Sequence, residues 1–111
     1  MDVRAELKYC PLSPQKVRLV IDVVRGQQVE KAITALKFMQ KAASEPVRKL
    51  IESAIANAEN NFGIEREKLF IREISADAAP IRKWRRFGAR GRFKPILRRS
   101  SHVTVVLQEK A

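Results

Sequence analysis

Residues 80–102 read PIRKWRRFGARGRFKPILRRSSH, and between Arg82 and Arg99 nine of eighteen positions are lysine or arginine. No acid occurs from Ala78 to Gln108. Residues 1–77 are nearly balanced, with 13 basic and 11 acidic side chains, whereas residues 78–111 hold 10 basic and 1 acidic. Most of the net charge of +11 therefore sits in one segment. Like charges held this close repel one another unless a polyanion neutralises them. Any fold of this chain must present the segment where such a partner reaches it.

Charge blocks of this size are often solvated tails. This one differs in three ways. It is internal, lying between the strand-like stretches LFIREISADA and SHVTVVLQE. It contains Ile81, Trp84, Phe87, Phe93, Ile96 and Leu97, which makes it too apolar for a plain tail. Gly88 and Gly91 stand near its middle, where a chain reversal needs residues that accept positive φ. Together these predict a long β-hairpin that continues two paired strands. With Ser75 opposite Thr104, the turn centres near Ala89–Arg90. Arms of about twelve residues at ~3.3 Å each would project on the order of 40 Å. Pro95 suits an arm with one unpaired edge. Free hairpins are marginal in water, so this one is expected to order on binding. A disordered basic loop is the alternative.

The rest of the chain reads as a folded body. Val3, Ala5, Leu7 and Tyr9 alternate with charged residues, the period of a half-buried strand. SPQKVRLVIDVVRG, residues 13–26, reads as a helix with Ser13 as N-cap, Pro14 in its first position and Gly26 at its end. Val17, Val20, Ile21 and Val24 form its apolar stripe. Lys16, Arg18, Asp22 and Arg25 fall elsewhere, either as a solvated face or as phosphate contacts. VEKAITALKFM gives a second amphipathic helix over 29–39. A helix-turn-helix reading of this pair is discounted, because Lys31 and Lys37 are the only cations of the second helix and no base-reading set accompanies them. Ser44 is read as the cap of the longest helix, with Pro46 in its first turn and Gly63 as its stop. Val47, Leu50, Ile51, Ala54, Ile55, Ala58 and Phe62 make its core face. Asn57 and Asn61 share another face, as surface polar groups or as RNA contacts. Strands follow at 69–77 and 101–109. The expected fold is α+β, a three-stranded antiparallel sheet packed on three helices, with a long basic β-hairpin extension. Residues 1–111 form a single domain, with its body at 1–79 and 101–111 and its hairpin at 80–100.

Several chemistries find no support. Cys10 and His102 are each the only residue of their kind, which makes neither a metal site nor a catalytic pair. No phosphate-loop or dinucleotide glycine pattern occurs. The GxxG at Gly88–Gly91 has the form of a KH-domain loop but is only a four-residue match. The reading is therefore of a non-enzyme without cofactor, metal or small-molecule substrate. A pI near 10.6 points to nucleic acid first and an anionic membrane second. No secretory leader is visible, and no apolar run approaches the ~20 residues of a membrane span. A membrane-binding hairpin would separate basic from apolar faces, yet Arg82 and Arg92, and Arg85 and Arg99, occupy both parities. A DNA-binding module would need a sequence-reading element and usually dimer symmetry, and neither is visible. In the segment itself Arg82, Arg85, Arg86, Arg90, Arg92, Arg98 and Arg99 outnumber Lys83 and Lys94. Arginine suits bidentate phosphate contacts. Trp84, Phe87 and Phe93 either stack on bases or pack across the hairpin.

Three segments, SPQKVRLVIDVVRG, SAIANAENNFGI and RGRFKPILRRSSHVTVVL, resemble the bacterial-type large-subunit ribosomal protein twenty-two family in order and spacing over nearly the whole chain. Ser13-Pro14, Lys16, Arg18, Arg25-Gly26, Ala56-Asn57-Ala58, Asn61, Gly91-Arg92 and Ser101-His102 stand at its signature positions. The resemblance implies a body on the large ribosomal subunit, in a cytoplasmic or an organellar ribosome, that binds ribosomal RNA early in assembly. It also implies a hairpin threaded through that RNA to the nascent-peptide exit tunnel, beside neighbouring ribosomal proteins and the passing peptide. In the family, changes at the tip alter macrolide response. Carried over, the tip is Arg85, Arg86, Phe87, Gly88, Ala89, Arg90, Gly91 and Arg92, on a shaft of 81–84 and 93–99. The RNA-binding candidates are Ser13, Lys16, Arg18, Arg25, Asn57, Asn61, the nine hairpin cations, Trp84 and His102. The chain departs from the family at Phe87-Gly88-Ala89, where Pro-Arg-Ala is common, and at Phe93, which is often Ala.

Overall fold

The structure, a computed structural model, describes residues 2–80, 82–87 and 93–109, of which 82–87 and 93–98 are described as backbone only. In chain order it contains β1 (Asp2–Cys10), α1 (Pro14–Val24), α2 (Val29–Phe38), α3 (Ser44–Phe62), a single 3-10 turn (Arg66–Lys68), β2 (Leu69–Ala78), β3 (Arg82–Phe87), β4 (Phe93–Arg98) and β5 (Ser101–Glu109). The sheet is antiparallel in the order β1-β5-β2. β5, the last strand, lies in the middle, so both chain ends are tied into one ladder. The α+β class and its three helices agree with the sequence reading.

The helices cover one face of this sheet, with α3 against β1 and β5 and α1 against β2. The alternation in β5 decides which side chains form the core. Val103, Val105 and Leu107 are fully buried, while His102, Thr104, Val106 and Gln108 are half-buried on the uncovered face. The α1 stripe of Val17, Val20, Ile21 and Val24 is entirely buried, as its 3-4 spacing predicts. So are Val47, Ile51 and Ala54 of α3. Full burial of an aliphatic side chain of this size contributes about 1.5–3 kcal/mol, and these residues hold the layers together.

The helix ends bear out the Ser13 cap position and correct two other expectations. Ser13 occupies the N-cap of α1 with extended backbone, but its side chain makes no capping hydrogen bond. Ser44 is not a cap. It is the first residue of α3, and its hydroxyl donates to the Lys41 carbonyl at 2.7 Å and the Met39 carbonyl at 3.2 Å. The turn before the helix is already wound, so Ser44 satisfies that turn instead of the helix amides. Phe62 is 49% exposed, because the apolar spacing of α3 continues one turn beyond the buried stretch that ends at Ala58. The stops follow expectation. Gly26 and Gly63 have φ of 79° and 63°, the left-handed geometry in which a side chain is strained.

Two bulges shift the strand faces. In β2 the register slips by one between Ile71 and Glu73, so the buried positions pass from Leu69 and Ile71 to Ile74 and Ala76. In β1 it slips between Leu7 and Cys10. Tyr9, read from the sequence as part of the buried alternation, instead adopts φ 58° and is 56% exposed, and Cys10 turns inward. One inserted residue exchanges the faces of everything after it.

Ser75 pairs with Thr104, the register assumed in placing the turn. The pairing runs to Ala78 and Ser101 and continues through the Ala79 amide, which donates to the Ser100 carbonyl at 3.0 Å. β3 and β4 then pair from Arg82 with Arg98 to Phe87 with Phe93. Three residues separate β2 from β3 against two between β4 and β5, and the longer side contains Pro80, which has no N–H to give to a ladder. The tip residues Gly88, Ala89, Arg90, Gly91 and Arg92 lie outside the described residues. The radius of gyration is 17.1 Å, against about 13 Å for a compact chain of this length. The principal extents of 65 × 26 × 18 Å show the same elongation.

Candidate nucleic-acid interface

The strand directions give the body two ends. The hairpin leaves from the end where β1 finishes and β5 begins, near Cys10 and Ser101. α1 starts three residues after β1, and the link between α2 and α3 lies beside Leu12 and Lys16. The opposite end holds the α1–α2 turn, the exit of α3 and the start of β2, where the Gly26 amide donates to the Ile71 carbonyl at 3.1 Å.

Charge divides along this axis. The hairpin-side half of the body, residues 7–18, 36–50, 75–80 and 99–103, carries eight basic and two acidic side chains. The far half, residues 2–6, 19–35, 51–74 and 104–109, carries six basic and ten acidic. The hairpin segment 81–98 adds eight basic side chains and no acid. A body that looks neutral in sequence is therefore dipolar, at +6 beside the hairpin and −4 away from it. A polyanion approaching this molecule is steered to the hairpin and its base.

Local pairing sharpens that contrast. Arg48 and Lys49 are tied to Glu52 and Glu45 along α3, at 3.1 and 3.2 Å. Arg66 bonds Glu59 at 2.9 Å, and that carboxylate raises the guanidinium above its ordinary pKa. Arg72 reaches over β5 to Asp2. Among the described residues Lys8, Lys16, Arg18, Lys37, Lys41 and Arg99 in the hairpin-side half have no acidic partner, against Lys31 and Lys68 in the far half.

The predicted site residues separate into groups. Ser13, the N-cap of α1, and Lys16, in its first turn, lie near the hairpin base, with Arg99 in the link between β4 and β5 and His102 in β5. The Nδ1 of His102 accepts the backbone N–H of Tyr9 at 3.1 Å, and the Tyr9 ring meets the imidazole edge-on at 4.7 Å and 87°. A backbone N–H only donates, so in the neutral ring the proton sits on Nε2. Among the described residues that N–H has no partner.

Arg18 and Arg25 are not simply solvated. Arg18 donates through Nε and Nη2 to the Ala76 carbonyl, and Arg25 donates through Nη2 to the Ile74 carbonyl at 3.0 Å. Arg25 also bonds Asp22 at 2.6 Å and lies at the far end of α1. Both arginines retain exposed N–H groups but serve first to close the edge of β2. Asn57 and Asn61 are exposed on the second half of α3. The helix carries them some 20 Å from its start at ~1.5 Å per residue, so they form a separate patch. The side chains of Arg82, Lys83, Trp84, Arg85, Arg86, Phe87, Lys94 and Arg98, like Arg90 and Arg92 in the tip, lie outside what the structure describes. Sequence reasoning passed over Lys8 and Lys41. Nothing in their local sequence marks them, and only their place at the hairpin end of the body, Lys8 near the end of β1 and Lys41 in the α2–α3 link, does so.

Among the described residues no group of three His, Cys, Asp or Glu side chains is placed to hold a metal ion, and no helix is long and apolar enough to cross a membrane.

Residues 5–108 match the family described as ribosomal protein L22p/L17e. The chain belongs to that family. The L22p/L17e assignment has full-length support from curated relatives. The large ribosomal subunit protein uL22 of Clostridium novyi (strain NT) is 46% identical over 111 residues, covering 100% of both chains. That of Finegoldia magna is 46% identical over 110 residues, 99% of this chain and 98% of the relative. That of Caldicellulosiruptor saccharolyticus is 48% identical over 106 residues, 96% and 87%. As an L22p/L17e protein the chain is structural, not enzymatic.

Proposed function

We propose that this L22p/L17e protein is a structural constituent of the large subunit of the cytoplasmic ribosome, holding large-subunit RNA with its hairpin and the adjoining end of its body. One observation carries the reading: the hairpin and the half of the body beside it total +14, while the far half is −4. Such a molecule neutralises phosphates from RNA helices that would otherwise repel. Residues 1–111 act as one domain, with a body at 1–79 and 101–111 and a hairpin at 80–100. Lys16, Arg99, His102 and the hairpin cations bind RNA at the hairpin end. Ser13 lies beside them, Arg18 and Arg25 add their remaining N–H groups, and Asn57 with Asn61 forms a second contact. The hairpin tip, Arg85 to Arg92, reaches the nascent-peptide tunnel wall among neighbouring ribosomal proteins, and RNA binding supports subunit assembly.

The test is RNA binding as a function of salt. With six to nine phosphate contacts, log K for the full chain on large-subunit RNA falls against log salt with a slope of roughly −4 to −8. A chain with residues 82–99 replaced by a short Asn-Gly turn should stay folded and lose most of its affinity and slope. A truncated chain that binds as tightly as the full one overturns the proposal. For the tip, a photocrosslinker at Phe87 in assembled ribosomes should capture a stalled nascent chain, and labelling of RNA alone would remove the tunnel assignment.

A further inference from the structure

We infer that the body carries a base-tolerant pocket for one unstacked RNA nucleotide, between the first turns of α1 and the link from α2 to α3. The cavity there is about 190 Å³ and is lined by Leu12, Lys16, Leu19, Lys41, Ala42 and Ala43. Its walls are aliphatic apart from the stems of two lysines. Neither lysine has an acidic partner among the described residues. Drug-sized sites begin at ~300 Å³, so this volume suits a single ring system and not a larger ligand.

A nucleotide satisfies both halves of the site. Its base offers apolar faces to Leu12, Leu19 and the two alanines. Its flanking phosphates offer the charge that Lys16 and Lys41 lack. An apolar peptide side chain would fill the walls and leave both ammonium groups unanswered. The surroundings favour the same ligand, because the pocket opens in the half of the body that carries +6, next to the hairpin. Leu19 is 58% exposed and lines the cavity, so its apolar surface is open to a ligand. No lining side chain bears an amide, hydroxyl or carboxylate to read a base edge. Binding is therefore set by apolar packing of the base faces and by charge, and purines and pyrimidines are accepted alike.

This inference rests on the RNA-binding function proposed above, and the experiment separates the two. Backbone amide shifts of the full-length protein are followed by NMR as ribohexanucleotides are added at low salt. Oligouridylate and oligoadenylate should both shift Lys16, Leu19 and Ala42. A hexamer with the same phosphates but no bases should shift the hairpin amides and Lys16 and leave Leu19 and Ala42 in place. Ala42→Leu fills the cavity without changing charge, and it should weaken the pocket response to base-bearing hexamers about tenfold while the hairpin still responds. Leu19→Ser removes a wall at an exposed position and should act in the same direction. Equal pocket shifts with and without bases would reduce the site to a phosphate contact and overturn the inference. Pocket amides unmoved by any hexamer, with the hairpin responding, would also overturn it. A hairpin that responds to no RNA would count against the RNA-binding function itself.

Discussion

Arg18 donates two hydrogen bonds to the Ala76 carbonyl, from Nε at 3.1 Å and from Nη2 at 2.9 Å. With Arg25 on Ile74 and the Gly26 amide on Ile71, one helix and its exit turn answer three carbonyls along the outer edge of β2. An open strand edge is a template for unwanted pairing, and here α1 closes it. Arg18→Ala should therefore destabilise the fold by about 1–2 kcal/mol, allowing for partial exposure. Urea unfolding without RNA measures this directly. A loss below ~0.5 kcal/mol would mean that Arg18 is only a surface cation.

Tyr9 occupies left-handed backbone while its ring packs on His102. Tyr9→Ala removes the ring and keeps the strained backbone, whereas Tyr9→Gly removes both. The glycine variant should be the more stable of the two by about 1 kcal/mol, the reverse of the usual order in a strand. Thermal unfolding of the pair gives the answer. If alanine is the better residue, φ at position 9 is not positive.

The bond from Tyr9 N–H to His102 Nδ1 makes a statement about tautomer. Long-range ¹H–¹⁵N spectra at neutral pH should show Nδ1 without hydrogen and Nε2 with it. His102→Asn, which keeps an acceptor near the Nδ1 position, should preserve most of the stability that His102→Ala loses, about 1 kcal/mol. A neutral ring with hydrogen on Nδ1 would remove this contact.

Gly63 ends α3 with φ 63°, and a Cβ placed there would meet nothing within 4 Å. Gly63→Ala should thus cost about 1 kcal/mol from the backbone alone. Gly63→Asn should recover part of the loss, because asparagine tolerates this geometry. Equal losses in both variants would point to a side-chain clash instead.

Ile51 and Phe62 lie on the same apolar spacing, but Ile51 is fully buried and Phe62 is 49% exposed. Ile51→Ala should cost about 2–5 kcal/mol, and Phe62→Ala less than ~1 kcal/mol. A comparable loss at both sites, measured by chemical denaturation, would restore Phe62 to the core.

That contrast marks the limit of reading a core from spacing. The period of 3.6 locates the face of α3 but not where its partner surface ends. The apolar stripe of α1 was legible in full, because the sheet runs beneath all of it. The pairing of β2 with β5 was also legible, since two alternating strands joined by a basic segment with central glycines read as an antiparallel pair, and the assumed register of Ser75 with Thr104 matches the structure. The bulges at Leu7/Cys10 and Ile71/Glu73 were not. A single inserted residue carries no local mark in the sequence, and it moved Tyr9 from core to surface.

Several features belong to the sequence alone. These are the α+β class, the three helices, the cationic segment between two strands and the family, because periodicity, turn residues and local charge density are properties of contiguous residues. The tertiary structure decided how charge is distributed in space. Lys41 is distant in sequence from Lys8 and Lys16, and the three share the hairpin end only because β1 finishes, α1 begins and the α2–α3 link passes on the same side of the body. It also decided that Arg18 and Arg25 answer carbonyls of β2, a role for which their spacing on α1 is necessary but not informative. Hydrogen bonding and electrostatics depend on distance in three dimensions, and packing alone brings residues distant in sequence to those distances.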